Sequence, residues 1–170
     1  MIAPISLSNV LTVAAAIACL WSIGTQSSGG VVKLWRLAIP PSLAAVIALM
    51  LLAGIVEATL IHDAEWALGL VLGGIVGRTR GWLMSVTSDQ KWRLVRVPRT
   101  IDGLTVGFAL LVVAMTDFAG ALLDDPVIEP QHLAAAAAFC AGYLGLRALG
   151  MTMRAVRAPH VELYDTESAR

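Results

Sequence analysis

Charge is scarce in this chain. Only 14% of its 170 residues are Asp, Glu, Lys or Arg, and the formal net charge is zero, so there is no basic excess of the kind that binds nucleic acid. Cysteine is scarcer still. Cys19 and Cys140 each sit inside an apolar run, which excludes a disulfide framework and fits small packing residues. No HxxxH, HExxH or CxxC spacing occurs among the three histidines and two cysteines, so neither a metal nor a cofactor is expected. Ser85, Thr87 and Ser88 have no histidine nearby in sequence, and His160 falls in the tail. Without a nucleophile and base in reach of one another, the chain reads as non-enzymatic.

What it has in abundance is apolar sequence. Hydrophobic residues make up 58% of the chain and the mean hydropathy is +0.78. Five apolar runs, about 5–24, 38–61, 64–83, 101–123 and 132–150, each approach the ~20 residues that span a ~30 Å hydrocarbon layer. The expectation is a single all-α membrane domain over 1–150, a bundle of five transmembrane helices, followed by a mobile cytoplasmic tail over 151–170. Ala16-Ile17-Ala18-Cys19 has the outline of a lipoprotein cleavage site. No basic region precedes it and Leu20-Trp21 continue the apolar run, so the first span is kept as a helix.

Threading five spans through a bilayer puts all twelve Lys and Arg residues on one side. Lys33 and Arg36, the stretch from Arg78 to Arg99, and Arg147, Arg154, Arg157 and Arg170 share it. The N-terminus and the turns at 62–65 and 124–131 carry none. By the positive-inside rule the basic side is cytoplasmic, giving N-out and C-in; Arg outnumbering Lys ten to two, with abundant Ala, fits a bacterial genome rich in G and C, and the expected location is the bacterial inner membrane. The 62–65 turn is short enough to predict that helices two and three pack as a hairpin. Trp92, Leu94, Val95 and Val97 alternate loosely with Arg93 and Arg96 after a turn at Ser88-Asp89-Gln90-Lys91, which predicts a short cytoplasmic β-hairpin at about 84–97 between helices three and four. An isolated hairpin is marginal in water, so this one must lean on helix ends or on the membrane surface.

Gly69, Gly73, Gly77 and Gly81 recur at every fourth position of helix three, lining one face and letting another backbone approach. Helix two or four is the expected neighbour, and the same stripe would also suit a homodimer. At the inner face, Arg78, Arg80 and Arg147 are placed to pair with Asp102 or with anionic lipid headgroups. Deep in apolar sequence lie two carboxylates, Glu57 and Asp117, each roughly 24–28 Å from its helix start. Ionisable groups at that depth are functional candidates. With His62, Asp63, Glu65, Asp124, Asp125, Glu129 and His132 above them they would form an ion pathway, or they simply reach interfacial water.

The run from Leu68 to Gly81, LGLVLGGIVGRTRG, continues into a polar strand pair and another apolar helix. Over about Gly69 to Ala114 this resembles the CcdC-like bacterial integral membrane proteins, with Gly73, Gly77, Arg78 and Gly81 as the matching positions. The resemblance implies the architecture of a glycine-rich helix ending in Gly-Arg before a small cytoplasmic hairpin, and the family name implies a link with cytochrome c maturation. The leading expectation is an accessory or assembly component whose partners are the lipid bilayer and another membrane protein. A small oligomeric transporter or channel using Glu57 and Asp117, and a membrane-embedded enzyme acting on lipid, are the alternatives.

Overall fold

A computed structural model describes residues 7–55, 60–123, 126, 128–161 and 163. The elements, in order, are α1 (Leu7–Ser27), β1 (Val31–Lys33), a 3-10 helix (Leu34–Ala38), α2 (Ile39–Ala53), α3 (Leu60–Leu83), β2 (Thr87–Asp89), β3 (Leu94–Arg96), α4 (Asp102–Leu123) and α5 (Pro130–Arg157). Five segments are long and apolar enough to cross a membrane: α1, Leu34–Ala53, α3, α4 and α5. The second needs its 3-10 entry. Fifteen residues of α2 give only about 22 Å of rise, and the preceding five add roughly 10 Å at the steeper 3-10 pitch.

The bundle is organised around α5. It packs on α2, α3 and α4, while α1 packs on α2 and α4, so α1, α2, α5 and α4 enclose the main core. Ala16 and Cys19, Ala44, Ile47 and Ala48, Leu110 and Ala114, and Ala134, Ala137, Ala138, Ala141 and Leu144 meet there. Small side chains dominate because helix backbones approach closely in lipid, where dispersion contacts rather than water exclusion drive association. The α3 helix lies outside this ring, packed mainly against α5. Its far face, including Leu68, Val71, Leu72, Ile75 and Val76, is exposed, which suits lipid.

Three expectations about α3 are corrected. Its glycine stripe faces α5, not α2 or α4: a Cβ at Gly69, Gly73, Gly77 or Gly81 would meet the backbone carbonyl of Ala135, Phe139, Tyr143 or Arg147. The contact is reciprocal, since a Cβ at Gly142 of α5 would strike the Leu70 carbonyl. The stripe is therefore occupied within the chain. Second, α2 and α3 do not pack as a hairpin. The body of α5 lies between them, and the Trp66 indole donates across to the Ala48 carbonyl at 3.3 Å. Third, the residues expected to turn, 62–65, lie inside the first turns of α3, whose helix begins at Leu60. Helix two instead closes at Gly54, whose N–H reaches back to Met50, while Glu57 lies outside the described residues.

The expected hairpin is two strands of a three-stranded antiparallel sheet in the order β1-β3-β2. The added strand comes from the α1–α2 connection, with Val32 opposite Val95. Ser88 opposes Val95 from the other side, and the turn falls at 90–93, so Trp92 belongs to the loop rather than to a strand. Val32, Val95 and Val97 share a second small core with Leu37, Met84, Met151 and Ala155. The sheet therefore leans on α5, which continues past Gly150 to Arg157. At 28 residues α5 is about 42 Å long, more than the ~30 Å hydrocarbon thickness, and its surplus turns are what the sheet covers. The chain beyond also packs rather than standing free: His160 bridges Ser88 in parallel, Val161 N–H donates to the Ser88 carbonyl at 3.1 Å, and Leu163 is buried.

Candidate functional site

At the sheet end, where α3 finishes and α4 begins, one carboxylate collects three donors. Asp102 is the first residue of α4, where a negative charge complements the helix dipole. Its Oδ2 accepts the Tyr143 hydroxyl at 2.9 Å and the Arg147 Nε at 3.1 Å, and the Arg80 Nε stands 3.6 Å away. Tyr143 and Arg147 lie four residues apart on α5, hence on one face. Arg147 also donates through Nη2 to the Thr100 hydroxyl at 3.0 Å, and Gly103 leaves space for its guanidinium, which a Cβ there would approach to 3.2 Å.

Desolvation makes this cluster consequential. The Arg147 side chain is 9% exposed and that of Asp102 16%, against 52% for Arg80, so the first pair is a largely buried ion pair and the second a solvated one. Losing one member of a buried pair strands the other charge. The Asp102 Oδ1 is itself buried and has no hydrogen-bond partner. Of the three arginines expected at Asp102, Arg80 and Arg147 arrive. Arg78 is exposed, because the glycines on either side of it, Gly77 and Gly81, already face α5.

A second buried carboxylate was missed by the sequence reading. Asp89, at the end of β2, is 2% exposed. Its Oδ1 accepts the N–H groups of Lys91 and Trp92 at 3.0 and 3.2 Å, and its Oδ2 accepts that of Leu163 at 3.3 Å. Burial works against the charged form, but the Trp92 and Leu163 N–H groups, the nearby His160 and the Lys91 N–H outweigh it and hold the Asp89 carboxyl below its ordinary value. His160 Nδ1 accepts the Gln90 N–H at 3.3 Å, and Ser88 Oγ donates to the Ala155 carbonyl at 2.6 Å. An Asp followed by a polar pair and a Trp is the available signal for such a turn cap.

At the far end the acids separate into two places. Asp117 is half-buried on the seam of α1 and α4, where Asn9 Nδ2 donates to its Oδ2 at 3.3 Å. His62 is half-buried on α3, a helix that does not pack along α4. Glu65 and Glu129 flank His132, with Nδ1 3.5 Å from Glu65 and Nε2 3.4 Å from Glu129, a surface cluster joining the starts of α3 and α5. Asp124 and Asp125 lie outside the described residues. Among the described residues no group of three or more His, Cys, Asp or Glu side chains is arranged to hold a metal ion. Comparison with known protein families, with curated proteins and with solved structures returns no match to this chain.

Proposed function

We propose that this chain is a non-enzymatic integral protein of the bacterial cell membrane, an accessory or assembly component, with its N-terminus outside and its sheet and C-terminus in the cytoplasm. The observation that carries the proposal is the sheet. It joins a strand from the α1–α2 connection to the strands between α3 and α4, and takes in the segment after α5. Every connection that bears Lys or Arg thus meets at one end of the bundle, while Glu65, Glu129 and Asp117 lie toward the other. A basic end is retained on the cytoplasmic side during insertion and is attracted there to anionic headgroups.

Kinship with the CcdC-like proteins belongs to the same proposal. It is supported by the glycine-rich α3 ending in Gly77-Arg78 and by the strands that follow. The accessory reading is preferred over transport because Asp117 is engaged by Asn9 on the seam of α1 and α4. Reporter fusions test the orientation. Those after Gln26, Asp89 and Tyr164 should report cytoplasm, and those after Asp63 and Asp125 the exterior; a cytoplasmic signal at Asp125 overturns the arrangement.

A further inference from the structure

Beside the sheet, a groove of about 670 Å³ runs between the 3-10 helix and the outer face of α5, a size typical of small-molecule sites. Leu37 and Ala148 are the buried and half-buried part of its lining, and Lys33, Trp35, Trp92, Arg93 and Leu149 the exposed part. The notch exists because of Gly145, where an added Cβ would meet no atom within 4 Å. Any larger residue at that position would project into the open space.

The mouth is held in place by backbone bonds. Asp89 fixes the loop by accepting the N–H groups of Lys91 and Trp92, and the Leu34 N–H donates to the Arg93 carbonyl at 3.0 Å. Arg93 is also the one non-glycine residue with positive φ among those described, at 52°. A glycine would adopt that conformation freely, yet a long cation stands there. Among the described residues neither Lys33 nor Arg93 has an ion-pair partner. The nearby Asp89 carboxylate is turned inward onto backbone N–H groups.

Two cations and two exposed indoles thus stand at the rim of an apolar trough, the combination that sits where a membrane changes from headgroups to hydrocarbon. We propose that the groove binds one anionic phospholipid, its phosphate between Lys33 and Arg93 and an acyl chain laid over Gly145 and Ala148 along α5. Charge complementarity selects the occupant. A zwitterionic lipid offers the same phosphate but brings a choline cation up against Lys33 and Arg93, and a free phosphate would leave the apolar floor uncovered. The inference rests on the reading that the chain is embedded in a bilayer, but not on which side its sheet faces.

Native mass spectrometry of the full chain released from detergent is the test, with dioleoyl phosphatidylglycerol, dioleoyl phosphatidylcholine and glycerol phosphate as probes. One phosphatidylglycerol should be retained in preference to either of the others. Lys33→Ala and Arg93→Gly should each weaken it about fivefold, the change that corresponds to roughly 1 kcal/mol per cation at a membrane surface. Arg93→Gly suits the left-handed backbone, so its loss of lipid would not be a loss of fold. Gly145→Leu should block the site, whereas Arg78→Ala, away from the groove, should leave affinity within twofold. Equal retention of phosphatidylcholine, equal binding of glycerol phosphate, or unchanged affinity in Gly145→Leu would overturn the proposal. Failure of the orientation reading would appear in the reporter fusions instead and would leave this lipid selectivity intact.

Discussion

Gly77 of α3 lies against the backbone carbonyl of Tyr143 of α5, and the hydroxyl of the same tyrosine reaches Asp102 at the head of α4. One residue of the central helix therefore joins the glycine seam to the polar cluster. The otherwise peripheral α3 is held at this end by close backbone contact on one side and by the Arg80–Asp102 pair on the other. Removing either element should loosen the same helix.

The seam is tested by adding single methyl groups. Gly73→Ala and Gly77→Ala each put a Cβ into an α5 carbonyl that cannot rotate away, so the helices must separate. Overpacking of a tight core costs about 1–3 kcal/mol, and the lost dispersion contacts along the seam add to it. Gly24→Ala, where a Cβ meets nothing within 4 Å, serves as the control. Monodisperse yield in detergent and the unfolding midpoint should fall for the first two and hold for the third. Equal tolerance at all three positions would contradict the seam.

At the polar cluster, burial sets the order of effects. Arg147→Leu leaves Asp102 without its buried partner and should cost about 3–5 kcal/mol. Tyr143→Phe removes one hydrogen bond to a charged group and should cost about 1.5–3 kcal/mol. Arg80→Ala, acting on a half-exposed pair, should cost under about 1 kcal/mol. Denaturant titration of the detergent-solubilised protein reads all three. An Arg80 effect as large as that of Arg147 would mean that the Arg80 pair is shielded from water.

Much of this arrangement was legible in the sequence, and what was not has physical reasons. The five helices followed from uninterrupted apolar runs, because a span needs only length and hydropathy. Pairing with Asp102 was one of two outcomes legible for Arg80 and Arg147, the other being anionic headgroups, because sequence places these charges at one end of the bundle without saying how deeply each is buried. A glycine stripe shows that some backbone comes close without saying whose; the answering Gly142 on α5 acquires meaning only in three dimensions. Strand β1 was missed because Val31-Val32-Lys33 is too short to display a period and its partner lies at 94–96. Tyr143 was missed because a lone hydroxyl in an apolar run carries no pattern of its own, and the burial of Asp89 was missed because a turn signal does not show what packs over the turn.

Asp89 makes the sheet end sensitive to acid. Its folded pKa lies below the ordinary value, so its stabilising contribution is present above the unfolded carboxyl value near pH 4 and is lost as the pH falls through the lower folded value. Hydrogen exchange at the N–H groups of Lys91, Trp92 and Leu163 should accelerate over that window relative to amides in α5. Asp89→Asn cannot offer a second acceptor to Leu163, so it should show faster exchange at Leu163 at neutral pH and little further change on acidification. Exchange that is independent of pH in the unaltered chain would mean that the carboxylate does not govern the loop.

The order of the sheet carries the argument that three connections share one side, and it is open to direct chemical test. Val31 pairs with Arg96 across β1 and β3, and Thr87 pairs with Arg96 from the opposite edge. Directly opposed residues of an antiparallel pair have Cα atoms about 4.5–5.5 Å apart, within the range a disulfide spans. Val31→Cys with Arg96→Cys should therefore crosslink on mild oxidation, as should Thr87→Cys with Arg96→Cys. Val31→Cys with Thr87→Cys should not, because β3 lies between them. The native Cys19 and Cys140 are buried and should not compete. Protease cleavage between β1 and β2 followed by non-reducing electrophoresis would detect the first link, since only the disulfide would then hold the fragments together. Its absence, with the second present, would reduce the sheet to a hairpin and detach the α1–α2 connection from it.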